Sequence, residues 1–201
     1  PTVSQMDDAS VEEKVNQLIQ TSNQLGPQQY SDTANLEGTV EVTFLDGETL
    51  SLVYRWTLTN PEENTGYPTT YLHSLVIDLK TGEQKHFNDY ASVYNVFYQL
   101  KYGLYQIVAD SSESDTTARV AVQNLLRNGT VSADKLATAD YIEMRGVDGR
   151  NLCDYPLSEA FPPSLFGYVT QDKIGLLIPA SDNIGGSIRL EFDRKDVAKT
   201  E

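Results

Sequence analysis

Apolar positions recur first at helical spacing. From Ser10 to Leu25, Val11, Val15, Leu18, Ile19 and then Ser22 fall on one face, with Glu13 placed three residues after Ser10 as in a capping box. Asp7 and Asp8 stand where a helix N-terminus favours negative charge, and Gly26-Pro27 ends the segment. Near Leu36 the period drops to two. Val40, Val42 and Phe44 alternate with Thr39, Glu41 and Thr43, and Asp46-Gly47 supplies a hairpin turn. The return strand, Thr49 to Thr59, sets Leu50, Leu52, Tyr54, Trp56 and Leu58 on one face. Asn60 to Thr69 reads as a loop, and Thr70 to Leu79 as a third strand closed by Lys80-Thr81-Gly82.

A long amphipathic helix is predicted over Phe87–Ala109, capped at Asn88 or Asp89. Its apolar stripe is Tyr90, Val93, Tyr94, Phe97, Leu100, Leu104 and Val108. Ser111 to Asp115 is an acidic connector, Thr116 to Leu126 a helix closed by Asn128-Gly129, and Ser132 to Lys135 a short helix or turn. Strand patterns return at Tyr141–Arg145, at Leu165–Thr170 and Lys173–Ile178 around Gln171-Asp172, and at Ile188, Leu190 and Phe192. The charged tail after Asp193 is expected to fray. Antiparallel hairpins with helices between them predict an α+β fold, an antiparallel sheet with several helices packed on it. The whole chain, 1–201, is expected to form one domain, divisible if at all into 1–70, 71–193 and a frayed 194–201.

Charge narrows the partners. The 29 acidic and 15 basic residues give −14 and a pI near 4.4, a field that repels phosphate backbones and anionic lipid and attracts cations. Nucleic acid and direct membrane insertion are therefore not expected, and no apolar run reaches the roughly 20 residues of a membrane span. The chain opens at Pro1 without a signal-peptide pattern, so a removed segment is expected in front of it, a place for a membrane anchor.

Chemistry is sparse. The single cysteine, Cys153, lacks a neighbouring histidine and sits beside Asp154, which raises a thiol pKa, so a structural or incidental role is expected. His73 lies within a strand and His86 ahead of a helix, neither in a nucleophile motif. No zinc set, no calcium loop and no phosphate loop is present; Gly185-Gly186 lacks the following Lys-Ser/Thr. No catalytic, metal or cofactor residue is predicted. A distant pair of carboxylates acting on glycans stays open as an alternative, as does a purely structural spacer.

Tyrosines are the one candidate surface. Tyr98, Tyr102 and Tyr105 recur at i, i+4 and i+7 off the core stripe, and Tyr67 and Tyr71 flank the loop containing Pro68. Tyrosine offers amphipathic contact area at little entropic cost. The competing reading buries all three helical tyrosines between the sheet and a second helix.

The block Tyr71–Asp89, centred on Asp78-Leu-Lys-Thr-Gly82, resembles a "strand, Asp-Leu-Lys-Thr-Gly, polar, Asp, helix" element of an extracytoplasmic domain pair of bacteria. That pair occurs in lysozyme-sensing anti-sigma factors and beside the catalytic domain of some peptidoglycan deacetylases. The opening Pro1–Asp8 with Val11–Asn16, the strand ending in Leu50-Ser51-Leu52-Val53-Tyr54, and Phe166–Ile178 followed by Gly185-Gly186 and Ile188–Phe192 are similar to it in the same order. Pro179-Ala180-Ser181-Asp182 departs from the family's proline-tyrosine element, and 109–139 matches less well. The resemblance implies a non-catalytic binding or sensing domain held outside the membrane, anchored by a transmembrane or lipoprotein segment. Its expected partner is a cationic protein such as a lysozyme-like muramidase, or a cell-wall component.

Overall fold

The switch from helical to alternating periodicity near residue 35 marks the passage from one layer of the molecule to the next. The computed structural model describes residues 1–23, 35–59, 69–108, 115–140, 165–180 and 186–199, and the architecture is theirs. Helix α1 (Ala9–Asn23) precedes a four-stranded antiparallel meander, β1 (Asn35–Leu45), β2 (Thr49–Thr59), β3 (Thr69–Asp78) and β4 (Glu83–Lys85). Then come α2 (Phe87–Tyr90), α3 (Val93–Tyr102), β5 (Gln106–Val108), α4 (Asp115–Arg127) and α5 (Ala133–Ala137). Strands β6 (Phe166–Val169), β7 (Lys173–Pro179) and β8 (Ser187–Asp193), followed by α6 (Arg194–Val197), complete the described chain. The α+β class is as expected, but the hairpins divide between two antiparallel sheets, the second in the order β5-β8-β7-β6.

Local chemistry sets the first layer. Asp8, not Ser10, caps α1: its carboxylate accepts the N–H groups of Ser10 at 2.8 Å and Val11 at 3.3 Å. The predicted face of α1 then packs Val11, Val15 and Ile19 on Leu50, Leu52, Tyr54, Leu75 and Ile77 of β2 and β3. Burying three such aliphatic side chains is worth about 5–8 kcal/mol before ordering entropy is subtracted. In the β1–β2 turn, Asp46 accepts the N–H groups of Glu48 and Thr49 at 2.8 and 2.7 Å, and these bonds hold its carboxyl below the ordinary range. The Asp78–Gly82 block is a turn of the same kind. Asp78 accepts the N–H groups of Lys80 and Thr81, and its other oxygen meets Lys85 Nζ at 3.1 Å.

The expected one-sided β2 is buried on both faces at its start. Leu50, Leu52 and Tyr54 face α1, while Ser51 and Val53 face the second sheet. There Val53 and Leu72 pack with Phe166, Tyr168 and Leu177. Hydroxyls stitch the sheets together: Ser74 Oγ donates to the Gly167 carbonyl at 2.5 Å, Val169 N–H donates to Ser51 Oγ at 3.0 Å, and Leu72 N–H to Ser187 Oγ at 3.2 Å. A cut at residue 70 would run through the β2–β3 ladder, so the first layer extends through β4 rather than ending there. The other face of the second sheet, through Ile174, Leu176, Ile178, Ile188, Leu190 and Phe192, holds the larger core with residues of α2 to α6.

Two predicted segments take other forms. The single helix over 87–109 is three elements, because Ala91 is extended and Ser92 begins a new helix as its N-cap. The tail after Asp193 is docked as far as Lys199. Val197 is buried, its carbonyl accepts Ser92 N–H at 2.7 Å, and Lys199 N–H donates to the Tyr90 carbonyl. One apolar side chain and a bridge between Ala91 and Ala198 hold a segment whose composition reads as solvated. The predicted Tyr141–Arg145 strand, the Asp148-Gly149 turn and Cys153 lie outside the described residues.

Candidate partner surface

Helix α3 positions the tyrosines. Ser92 Oγ accepts Asn95 N–H, and the helix ends at Gly103, whose φ of 69° is one that glycine adopts without strain. The face turned to the core carries Val93, Val96, Phe97 and Leu100, again i, i+3, i+4 and i+7; Val93, Phe97 and Leu100 belong to the predicted stripe, and Val96 takes the place of Tyr94. Tyr94 consequently leaves the core and joins Tyr98 and Tyr102 at i, i+4 and i+8. These three are 77%, 48% and 65% exposed. The rings of Tyr98 and Tyr102 lie 4.5 Å apart, tilted by 43°. Leu104, expected inside, is exposed beyond the cap, and Val120 of α4 is exposed as well. Lys101 Nζ stands 4.7 Å from the Phe97 ring beside this ridge.

Tyr105 does not belong to the ridge. The left-handed Gly103 turns the chain inward, and Tyr105 is buried with its ring 6.3 Å from Phe192 and the Arg119 guanidinium 5.0 Å away. Burial raises its hydroxyl pKa against the pull of Arg119. Tyr71 sits on the first sheet, half-buried and opposite Trp56, so it is not part of the α3 surface. Tyr67 lies outside the described residues. The structure therefore brings together Tyr98 and Tyr102, and adds Tyr94. The signal for Tyr94 was Val96, because an inward arc through Val93, Val96, Phe97 and Leu100 leaves position 94 outside it.

Both histidines have structural surroundings. His73 is buried, stacked on Tyr54 with centroids 4.6 Å apart, and its Nε2 lies 3.0 Å from the Ser22 carbonyl at the end of α1. Burial lowers its pKa to about 4, so the neutral ring donates from Nε2 to that carbonyl, and Nδ1 is left without a partner. His86 precedes α2, and its N–H donates to Asp89 Oδ2 at 2.8 Å.

Two buried polar centres had no sequence signal. Asp140 has a left-handed backbone, φ 68°, and its carboxylate accepts Gly167 N–H at 2.7 Å and the Tyr90 hydroxyl at 3.4 Å. Burial pushes this carboxyl up to about 8, against the opposing pull of those donors. The group ties the end of α5 to β6 and α2. Between the sheets, buried Arg189 donates to the Tyr168 hydroxyl at 2.7 Å and forks onto Glu41 at 2.7 and 3.3 Å. Burial opposes the charge of Arg189, and Glu41 and Tyr168 restore it. Tyr168 donates in turn to Glu191 at 2.8 Å.

A shallow groove of about 660 Å³ runs beside α1, lined by Pro1, Thr2, Glu13, Asn16, Gln17 and Gln20 among others. Asn16 fixes its wall by pairing with both backbone groups of Val3 at 2.8 Å. Among the described residues, no three His, Cys, Asp or Glu side chains are grouped to hold a metal ion, and no helix is long and apolar enough to cross a membrane.

No family model matches this chain, and no curated protein matches it. A crystal structure of a member of the DUF3298 family from Bacteroides fragilis aligns over 95% of this chain, with a TM-score of 0.39 and 8% identity. The chain spans 64% of that protein's length. A likeness this distant assigns neither activity nor partner.

Proposed function

We propose that this chain is a non-catalytic, extracytoplasmic binding or sensing domain of a bacterial cell-envelope protein, and that it engages a cationic protein through the tyrosine ridge of α3. The ridge carries this reading. Three tyrosines stand out on one helix face while the opposite face packs into the core, so their exposure has no structural explanation in the described fold. Rings of this kind provide contact area with few rotamers to freeze, and they are over-represented among residues that dominate binding energy. The charge of −14 would steer a basic protein toward the domain. A muramidase-like protein meets both conditions.

The purified domain should be titrated with a cationic muramidase and, separately, with soluble peptidoglycan fragments. Saturable binding of the muramidase, weakened by salt, is the expected result. Replacing Tyr98 and Tyr102 together by serine should weaken it by about tenfold or more, from the ~1–2 kcal/mol that one such anchor supplies. Binding of the fragments alone would move the partner to the wall polymer. Release of new reducing ends from those fragments would replace this reading with a hydrolase, and flat responses to both titrants would end it.

A further inference from the structure

Strand β1 is the outer strand of the first sheet. It pairs with β2 on one side and, among the described residues, with nothing on the other. An outer strand offers every second N–H and C=O to whatever lies beside it. The second sheet covers its outer strands. Hydroxyls of Ser51 and Ser74 take up backbone groups of β6, and Arg119 takes the carbonyls of Gly103 and Tyr105 just before β5. Among the described residues, β1 has no equivalent cover. Its register with β2 is regular from Asn35 to Val42 and shifts between Val42 and Phe44. A bulge there bends the strand, so the regular stretch is the part on which a ladder can grow.

The two faces of that stretch differ. Alternation puts Glu37, Thr39 and Glu41 on one side and Leu36, Gly38, Val40 and Val42 on the other. Glu41 is already engaged by Arg189, whereas Glu37 is exposed and makes no ion pair among the described residues. On the opposite side, the Trp56 indole lies across Gly38. A Cβ at Gly38 would come within 2.4 Å of Trp56 Cζ3, so the missing side chain lets the ring lie over β1. Val42 is exposed on the same side. Among the described residues, the edge therefore combines unpaired backbone, an aromatic surface and a carboxylate without an ion pair. A second copy of the chain fits it poorly, because antiparallel pairing of two such edges would bring Glu37 and Glu41 near their counterparts, on bodies each carrying −14.

We propose that the edge of β1 over Asn35–Val42 accepts an extended, lysine- or arginine-rich polypeptide segment as an added strand of the first sheet, its basic side chains on the Glu37 face and its apolar ones beside Trp56. This surface lies on a different sheet from the α3 ridge and stands or falls independently of it. The mode is strand addition: backbone hydrogen bonds supply affinity, and alternating side chains supply selectivity.

Trp56 is the only tryptophan in the chain, so its emission reads this edge directly. The probe is a ten-residue peptide of alternating lysine and valine, titrated at low salt while backbone amide exchange is followed by NMR. A saturable change in Trp56 emission is expected, with slowed exchange at every second amide between Asn35 and Val42. Two versions of the peptide, N-methylated at complementary alternate positions, should separate: one binds and the other does not. Glu37→Lys should weaken binding about fivefold or more, while the double serine variant of the ridge should bind the peptide unchanged. Equal binding of the two N-methylated peptides, protection outside β1, or dimerisation of the chain through this edge would each overturn the proposal.

Discussion

Among the described residues, the first sheet carries one helix, α1, on its outer face, whereas the second is covered by residues of α2 to α6 and closed at its ends by Ser51, Ser74 and Arg119. Trp56 and Tyr71 of the first sheet are half-buried, and β1 pairs with no described strand besides β2. Each region also encloses a titratable group whose charged form burial disfavours, and the two are opposite in kind. The first holds a neutral base, His73, under the end of α1, and the second holds an acid, Asp140, between α5, β6 and α2. Burial by itself has no pH sign. The chemistry of the buried group sets it.

The largest expected effect follows from Asp140. Its folded pKa is raised to about 8, so the stability tied to its protonated form is fully present below about 3.8 and is lost progressively as pH rises to about 8. The limit of that loss is on the order of 5 kcal/mol. His73 runs the other way. Its folded pKa of about 4 means that stability present above 6.5 is lost as pH falls toward 4, by about 3 kcal/mol. Over pH 4 to 6.5 the two slopes oppose each other. The unmodified chain should thus be nearly flat in that window and lose stability from 6.5 to 8. Asp140→Asn should rise from 4 to 6.5 and then level off, which denaturant melts at half-unit pH intervals would show. A variant that still falls above pH 6.5 would refute the assignment to Asp140.

Packing provides the next test. Leu176→Ala, in the enclosed core of the second sheet, should cost about 4 kcal/mol, and Leu18→Ala, partly buried on α1, about 1–2 kcal/mol. Equal costs in chemical denaturation would erase the contrast between the two regions. His73→Phe keeps an aromatic ring against Tyr54 and removes the titration, so the Asp140 slope is left unopposed and stability should fall by about 3 kcal/mol from pH 4 to 6.5, where the unmodified chain is nearly flat. The smallest effect is expected at the ridge. Tyr98→Ser with Tyr102→Ser should shift stability by no more than about 0.5 kcal/mol per site, because both rings are solvent-facing, and a drop of several kcal/mol would show that the ridge serves packing.

Much of the fold was legible wherever a local cause sufficed. The Asp46-Gly47 hairpin, the apolar face of α1, the β6–β7 hairpin and the last strand all follow from period and turn chemistry within about ten residues. The candidate surface was half legible. Tyr98 and Tyr102 are exposed, but Tyr105 turned inward past Gly103, and Tyr94 lies outside because Val96 takes its place in the core. Asp140 and Arg189 gave no warning, since a single polar residue carries no period and its burial depends on partners 27 and 148 positions away.

The α+β class, the hairpins, the acidic field and the lack of a recognisable catalytic motif can be read along the chain, because each is set by composition or by neighbours close in sequence. Long-range packing set four other features: two sheets rather than one, a β2 buried on both faces, a charged tail docked through Val197, and Tyr94, Tyr98 and Tyr102 as the exposed tyrosines among the described residues. All four have one cause. A side chain's environment is fixed by which layer its element meets. That meeting depends on distant pairings, such as β5 with β8 and β6 with the serines of β2 and β3, to which a local pattern is blind.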